Sequence, residues 1–261
     1  GTAFGTHDLG WLKKQRRELE FDDVILEDVT GVFACFGLWG PNAREILERV
    51  TPHDVSNEGF PFMASREITM GDIPVRATRI TYVGELGWEF YVSTEFGTAL
   101  WKLIFEAGQS LGIMACGYKA IESLRLEKGY RAWGGEINTE TNPWEAGLGF
   151  AVSKKKDHFL GREALFADKE RQTRKLVALT FDDVRRVPLG NEPIRIREEI
   201  IGRVKSGGQG YTINKGIGYA YLPLEHAQEG VTVDVEFFGE WASAAVSCEI
   251  LFDAHGERFK R

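Results

Sequence analysis

Residues 82–91 read YVGELGWEFY and carry more information about fold and function than any other stretch of equal length in this chain. Gly84 and Gly87 bracket a Glu-Leu pair, a pattern typical of a tight turn where backbone and ligand can approach closely. Residues 88–92 then have the composition of a strand, with the carboxylate of Glu89 set among large aromatic side chains. A carboxylate between aromatics suits a flat heterocycle that carries N–H donors, but a hairpin with an exposed Glu and core aromatics fits the same pattern.

Length, composition and charge exclude several classes of protein. The chain has 261 residues, 43% of them hydrophobic and 27% charged, which is typical of a globular protein with one large or two ordinary domains. The net charge of −7 argues against general nucleic-acid binding, because phosphate neutralisation needs clustered Lys and Arg. The basic clusters at residues 154–156 and 171–175 are typical of solvated loops, although such a loop could also meet the anionic tail of a ligand. No run approaches the roughly 18 apolar residues of a membrane span, and the N-terminus lacks a signal-peptide pattern.

The cysteines indicate a reducing compartment. Cys35, Cys116 and Cys248 lie far apart, with no Cys-x-x-Cys pair and no spacing typical of metal ligands. They are therefore expected to be buried thiols, and no metal site is predicted. The bacterial cytoplasm and the mitochondrial matrix both fit this expectation.

The first part of the chain is predicted to mix helices and strands. A helix is expected over residues 8–20, capped by Thr6 or Asp8. Its inward-facing residues are expected to be Leu9, Leu12 and Leu19. Further helices are predicted at residues 40–50, 95–111 and 118–128, the last one ended by Gly129. Strands are predicted at 24–29, 32–39, 73–82 and 88–93, and the last two are predicted to pair as a hairpin.

From residue 176 onward the pattern changes to short strands separated by Gly, Pro or Asn. These strands are predicted at residues 176–181, 200–206, 217–221, 231–238 and 244–250. Regular short strands without helices favour a small antiparallel barrel or sandwich. The fold class is therefore α+β followed by all-β, with a first domain over residues 1–153, a helical linker over 154–175 and a second domain over 176–261.

Further motifs connect these segments to a known family. Residues 117–131 read GYKAIESLRLEKGYR, residues 142–148 read NPWEAGL, residues 202–208 read GRVKSGG and residues 217–223 read IGYAYLP. Together with residues 82–91, these blocks resemble the glycine-cleavage T-protein (aminomethyltransferase) superfamily. Residues 130–133 and 141–147 look closest to the folate-binding half of dimethylglycine and sarcosine dehydrogenases. The blocks follow the order of the family and span about residues 1–253, so the resemblance is far more specific than any single motif.

The resemblance implies both a fold and an activity. Residues 1–153 would form a T-protein-like folate-binding domain, incomplete at its N-terminus, and residues 176–261 an antiparallel β-barrel domain. Members of the family bind tetrahydrofolate in a central cavity and transfer a one-carbon unit to it. In the dehydrogenase branch this unit arrives as an iminium or formaldehyde from a separate flavin domain, and 5,10-methylene-tetrahydrofolate is formed. The implied function is the one-carbon transfer part of an FAD-dependent dehydrogenase or oxidase that demethylates an amine such as dimethylglycine or sarcosine.

The same resemblance suggests which residues bind the cofactor. Glu89 is expected to hold the pterin through its N3–H and amino group, a charge-assisted pair worth about 1.5–3 kcal/mol. Tyr82 and Tyr130 match positions that line the folate cavity, although each could also be a core tyrosine with a satisfied hydroxyl. Phe90 and Tyr91 follow Glu89, and only one of them can share its face because strand side chains alternate. Backbone contact could involve either.

Several other residues have a structural interpretation beside a functional one. Trp133 and Trp144 are as consistent with packing as with a ligand wall. Arg125 and Glu127 are predicted to form structural salt bridges. Ile121 stands where T-proteins proper carry an Arg that contacts folate, which favours the dehydrogenase branch and leaves folate affinity open.

No catalytic residue is predicted within the chain. His7 has a pKa range suited to proton transfer, but no partner is visible in the sequence and Asp8 is expected to be a helix cap. The family's catalytic aspartate lies in a segment that would precede Gly1. No Gly-x-Gly-x-x-Gly flavin fingerprint follows a strand either, so FAD is expected only in an upstream domain or a partner chain, and this chain alone is expected to be inactive. Missing strands would leave sheet edges exposed, so a partner that carries the N-terminal part is also expected.

Two alternatives stay open at this stage. The superfamily includes a regulatory subunit of pyruvate dehydrogenase phosphatase, so a non-catalytic regulatory role would fit as well. Paralogues in tRNA modification or iron–sulfur assembly carry Lys-Gly-Cys-Tyr, whereas residues 128–131 read KGYR, which disfavours that branch. The sequence determines neither the methylated amine nor the oligomeric state.

Overall fold

The structure, a computed structural model, describes residues 4–247 and 250–261, and these fall into two compact units. The first unit contains the described residues up to Thr81, Glu85–Met114 and Lys260–Arg261, and the second contains Tyr82–Gly84 and Ala115–Phe259. This division does not follow the predicted domain limits at residues 153 and 176, which stay a prediction. No helix among the described residues is long and apolar enough to cross a membrane.

The first unit is an antiparallel four-stranded sheet with helices packed against it. Its helices are α1 (Gly5–Glu18), α2 (Ala43–Glu48) and α3 (Gly97–Gly108), and its strands are β1 (Phe33–Trp39), β2 (Ser65–Met70), β3 (Ile73–Thr78) and β4 (Gly87–Ser93). The strand order is β1-β4-β3-β2. Short 3₁₀ turns at Thr94–Phe96 and Gln109–Leu111 flank α3. The predicted pairing of β3 with β4 is confirmed, whereas β2 was not predicted.

The core of the first unit lies on one face of this sheet. Along β4, Trp88, Phe90 and Val92 are fully or almost fully buried, while Glu89 and Tyr91 between them are half-buried on the other face. This two-residue alternation is what a strand imposes on its side chains. The helices cover the buried face with apolar residues at helical spacing. The members of this core from α2 and α3 are Ala43, Ile46, Leu47, Leu100 and Ile104.

Two predictions for the N-terminal region are wrong. Helix α1 begins at Gly5, and its N-cap residue Phe4 makes no side-chain capping hydrogen bond. Asp8 therefore lies in the first turn, where its negative charge interacts favourably with the helix dipole. None of its residues is buried, and Leu12 and Leu19 are exposed, because the apolar spacing identifies a face but supplies no element to pack against it. Residues 24–29 have strand composition but pair with none of the described strands.

The expectation of buried thiols is also wrong for two of the three cysteines. Cys35 on β1 and Cys116 in a loop are both exposed. Cys35 takes part in the side-chain alternation of β1 and falls on the face opposite the core, which its residue type could not reveal. Cys248 lies outside the described residues.

The second unit is built around a closed six-stranded barrel. Its helices are α4 (Tyr118–Glu127), α5 (Arg162–Glu170) and α6 (Glu257–Lys260, whose last residue belongs to the first unit), with a 3₁₀ turn at Gly149–Ala151. Its strands are β5 (Arg174–Phe181), β6 (Pro193–Ile196), β7 (Glu199–Gly210), β8 (Lys215–Pro223), β9 (Thr232–Phe237) and β10 (Glu240–Ser247). All pairs are antiparallel, in the order β10-β5-β8-β7-β6-β9. The predicted α+β class and antiparallel barrel are confirmed, and only the short β6 was not predicted.

The C-terminal end of α4 fixes two segments, the loop that follows the helix and the C-terminal segment of the chain. Gly129 adopts a left-handed conformation, and the N–H groups of Gly129 and Tyr130 donate to the carbonyls of Leu126 and Arg125. This is the hydrogen-bond pattern of a Schellman C-cap, so the predicted helix end at Gly129 is confirmed. The C-terminal segment returns to the same place, since the N–H of Leu251 donates to the Glu127 carbonyl at 3.0 Å.

A nearly buried ion pair holds this C-terminal segment. Lys128 Nζ lies 2.9 Å from Asp253 Oδ2, and both side chains are at most one-tenth exposed. Burial alone would raise the pKa of Asp253, but hydrogen bonds from Lys128 and from the backbone N–H groups of Glu257 and Arg258 outweigh it, so the pKa is lowered. The pair therefore stabilises the fold only while Asp253 is ionised.

Replacement of Asp253 by Asn should lower the free energy of unfolding by about 3 kcal/mol at neutral pH, because Lys128 would stay buried without its counter-ion. Since the folded-state pKa is lowered, the difference from the parent should be complete above the unfolded pKa of about 4 and should vanish as the pH falls through the folded value. Urea unfolding of the parent and the variant at neutral pH and at about pH 3 measures the stability difference and its dependence on pH. The control is Asp182→Asn, which breaks the exposed pair with Lys215 and should change stability by less than about 1 kcal/mol. Equal effects of the two variants would contradict this account.

Candidate functional site

The candidate ligand residue Glu89 lies on the face of the first unit's sheet that is opposite the core. On β4 it is flanked by Tyr91 on the same face, and its cross-strand partner on β1 is Gly37. Phe90 points the other way and is fully buried in the core. Of the two residues that follow Glu89, the alternation therefore brings Tyr91 beside it and leaves Phe90 with only its backbone to offer a ligand.

The Glu89 carboxylate has one occupied and one open oxygen. The Tyr91 hydroxyl donates to Glu89 Oε2 at 2.8 Å, while none of the described residues donates to Oε1. Partial burial and this hydrogen bond raise the pKa of Tyr91 far above its ordinary value. Tyr91 thus stays a donor over the whole physiological pH range, and Glu89 keeps one oriented acceptor for another partner.

An aromatic side chain that was not predicted lies directly beside Glu89. The indole of Trp39 covers Gly37, since a Cβ built on Gly37 would come within 2.1 Å of its Cη2 and Cζ3 atoms. Its Nε1 donates to the carbonyl of Ile80 at 2.9 Å, which fixes the ring. A signal was available in the sequence, because a Gly and a Trp two residues apart on one strand share a face.

Two tyrosines proposed from the sequence are brought together in the second unit. The rings of Tyr82 and Tyr130 are stacked, with centroids 5.9 Å apart and an interplanar angle of 17°. The Tyr82 hydroxyl donates to the carbonyl of Arg131 at 2.9 Å. The pKa of both tyrosines is raised, chiefly by burial. Both are therefore uncharged donors, Tyr130 on the loop that follows α4 and Tyr82 hydrogen-bonded to that loop.

A buried charge network shapes this loop. Arg125 Nη1 donates to Glu136 Oε1 at 2.6 Å, and both side chains are 1% exposed. The same guanidinium pairs with the half-exposed Glu122, and the Ser206 hydroxyl also donates to Glu136. Burial alone would lower the pKa of Arg125, but its two carboxylate partners raise it. Glu136 Oε2 in turn accepts from the N–H of Ala132 at 2.7 Å, so the network fixes the loop that begins at Tyr130.

The other residues considered from the sequence have structural surroundings. Trp144 packs on Phe166 and donates its Nε1 proton to the Leu165 carbonyl, whereas Trp133 is half exposed. Arg125 forms the predicted salt bridge. For Glu127 the predicted salt bridge is wrong, because its buried carboxylate accepts the N–H groups of Thr212 and Ile213 instead.

Two further residues considered from the sequence, His7 and Ile121, lie on helices. His7 is exposed on α1, and its Nδ1 lies 3.1 Å from Asp8 Oδ1. Ile121 is half-buried on α4. Among the described residues, no group of three His, Cys, Asp or Glu side chains could hold a metal ion.

Comparison with protein families identifies the chain's relatives. The model of the GCVT N-terminal domain matches residues 1–156, and that of the glycine cleavage T-protein C-terminal barrel domain matches residues 174–253. The chain belongs to the glycine cleavage T-protein family. The second match coincides with the six-stranded barrel, and the resemblance seen in the sequence motifs is confirmed.

Two relatives show which branches of the T-protein family the chain is similar to. Mitochondrial dimethylglycine dehydrogenase from Mus musculus is 40% identical over 255 residues, which cover 96% of this chain but 29% of the dehydrogenase. An aminomethyltransferase from Symbiobacterium thermophilum is 37% identical over 242 residues, 92% of this chain and 64% of the relative. This T-protein-family chain thus spans under a third of the dehydrogenase and about two-thirds of the aminomethyltransferase.

A solved structure confirms the T-protein fold. Aminomethyltransferase T of the glycine cleavage system from Bartonella henselae matches 99% of this chain and 68% of its own, with a TM-score of 0.81 and 26% identity. The chain is therefore an aminomethyltransferase-like module of the T-protein family. The roles of Tyr82, Glu89, Phe90, Tyr91 and Tyr130 as folate ligands stay predictions.

The buried Arg125–Glu136 pair should dominate the stability of the second unit. Glu136→Ala should lower the free energy of unfolding by about 3–5 kcal/mol, because it leaves a buried guanidinium without its buried counter-ion. Glu122→Ala removes the other partner of the same Arg125, but this carboxylate is half exposed, so the loss should stay below about 1 kcal/mol. Urea titration of both variants measures the difference. A Glu122→Ala loss as large as that of Glu136→Ala would refute the assignment of the stabilising role to the buried pair.

Proposed function

We propose that this chain is the tetrahydrofolate-binding, one-carbon transfer part of an enzyme that demethylates a secondary or tertiary N-methyl amine. The observation that carries the proposal is the Glu89 carboxylate, which is half-buried on the outer face of its sheet with one oxygen held by Tyr91 and the other open. Similarity to dimethylglycine dehydrogenase supports an amine of the dimethylglycine or sarcosine type.

The residues at this site match the chemistry of a pterin. The pyrimidine edge of a pterin carries a ring N–H and an amino group, both donors, and Glu89 offers carboxylate oxygens to accept them. A hydrogen bond to a charged acceptor of this kind contributes about 1.5–3 kcal/mol. Tyr91 orients the carboxylate by holding Oε2. Phe90 would contribute through its backbone. In the second unit, Tyr82 and Tyr130 are proposed as folate ligands from the family resemblance.

The chain's own share of the reaction is binding and orientation. Tetrahydrofolate, when bound, accepts the one-carbon unit that amine oxidation releases. Glu89 and Tyr91 would hold the pterin ring, which carries the acceptor nitrogen N5. We assign neither a catalytic acid nor FAD to the residues of this chain, and propose that a separate flavin domain or partner chain supplies FAD. The enzyme would then work in a reducing compartment, either the mitochondrial matrix or the bacterial cytoplasm.

Replacement of Glu89 by Ala should weaken binding of 5-formyl-tetrahydrofolate by tenfold or more, which corresponds to about 1.4 kcal/mol. Calorimetric titration measures the dissociation constant, and urea unfolding should show little change, since the residue serves the ligand and not the core. Glu67→Ala is the matched control, because Glu67 lies on the same sheet, is exposed and pairs only with Arg76 among the described residues. Its affinity should equal that of the parent.

The titration also separates the proposal from its alternative. Parent affinity in Glu89→Ala would show that Glu89 does not hold the pterin. Failure of the parent chain to bind any reduced folate would instead favour a regulatory, non-catalytic member of the family.

A further inference from the structure

Gly37 makes room for the Trp39 indole on the sheet face that carries Glu89, because a Cβ on Gly37 would lie 2.1 Å from the six-membered ring of the indole. A Cβ on Gly87 would first meet the backbone carbonyl oxygen of Leu38, at 2.0 Å, and then the Cδ1 atom of the indole, at 2.5 Å, so the backbone by itself requires glycine there. Real Cβ contacts are never this short, so any other residue at either position would displace the ring or the backbone. The indole therefore covers the β1 backbone at Gly37.

The position of both glycines is fixed relative to Glu89. Gly37 is the cross-strand partner of Glu89, and Gly87 precedes Glu89 by two residues on β4, so both share its face. The hydrogen bond from Trp39 Nε1 to the Ile80 carbonyl holds the indole in this orientation. The Glu89 carboxylate and the Trp39 indole thus lie on the same face of the sheet, side by side.

Core packing does not account for this arrangement. Trp39 is not a member of the hydrophobic core of the first unit, which takes its neighbour Leu38 from the opposite face, and it keeps partial exposure. Glycine inside a strand weakens the strand by about 0.5–1 kcal/mol relative to Ala, and it commonly marks a place where a ligand approaches the backbone closely. Gly37 is the cross-strand partner of Glu89, and its three nearest Cβ contacts are all atoms of the Trp39 ring, which indicates that the surface beside the carboxylate is shaped for a ligand.

We propose that Trp39 is a ligand-contacting residue of the Glu89 site, whose indole supplies the aromatic surface against which the flat ring of folate packs. The inference rests on the proposed function and extends it by one specificity-determining residue. Glu89 would bind the N–H edge of the ring and Trp39 would contact its face, so the site would favour ligands that are flat and that carry N–H donors at one edge. Aromatic contact of this kind is worth about 1 kcal/mol, which is about fivefold in affinity.

The experiment perturbs the indole in two ways, by replacing Trp39 itself and by replacing Gly37 beneath it. Gly37→Ala is expected to displace the Trp39 ring, because the three atoms nearest to the added Cβ all belong to that side chain. Trp39→Leu removes the aromatic surface and keeps an apolar side chain. Calorimetric titration with 5-formyl-tetrahydrofolate compares the parent with five variants: Trp39→Leu, Gly37→Ala, their combination, Glu89→Ala and the control Trp101→Leu. Urea unfolding checks that each variant is folded. Trp101 is an exposed indole on α3 in the same unit.

Trp39→Leu and Gly37→Ala should each weaken binding about fivefold, and the double variant should be no weaker than Trp39→Leu, because the alanine acts only through the indole. Trp101→Leu should bind as the parent does. Parent affinity in Trp39→Leu while Glu89→Ala loses binding would refute the role of Trp39 and leave the proposed function intact. Additive effects in the double variant would also refute it. If the parent does not bind, or Glu89→Ala binds like the parent, both proposals fail.

Discussion

The side-chain alternation of β4 is the constraint on which the first unit depends. The strand pairs with β1 along its whole length and with β3 on the other side, and it buries Trp88, Phe90 and Val92. A slip of one residue would expose these three and bury the Glu89 carboxylate, so register and site are specified together. The residues that stabilise the sheet and the residues proposed to face a ligand are therefore neighbours in sequence with opposite environments.

In the second unit, the end of one helix has a comparable role. Buried charge is tolerated there because each charge has a partner, Arg125 with Glu136 and Lys128 with Asp253. The first pair fixes the loop after α4, and the second fixes the returning C-terminal segment. Tyr130 follows directly from the Schellman cap, so its stack with Tyr82 depends on how the helix ends. A tyrosine stack built on a helix end in this way is held more rigidly than its loop sequence suggests.

Much of the fold was accessible from local sequence pattern. The helix over Gly97–Gly108 keeps a three- and four-residue apolar spacing, and five of the six barrel strands have strand composition between turn residues. The errors share a physical reason, since local pattern does not reveal what packs against an element. Helix α1 has apolar spacing but no buried residue, residues 24–29 have strand composition but no strand partner among those described, and Cys35 falls on the exposed face. The four-residue strand Pro193–Ile196 is too short to show a period.

For the site, the sequence by itself determined the family, through motif blocks in a fixed order, and it determined Glu89 as the carboxylate among aromatics. These are properties of local spacing, and local spacing can be read directly. Only the tertiary structure decided that Tyr91 holds one oxygen of Glu89, that Phe90 is given to the core, and that the Trp39 indole lies over Gly37. Within each strand the alternation alone puts Tyr91 beside Glu89 and Trp39 beside Gly37. Which face is buried, and which residues of β1 and β4 meet, depends on the register between these strands, which are about 50 residues apart in the chain, and burial across the whole sheet sets that register.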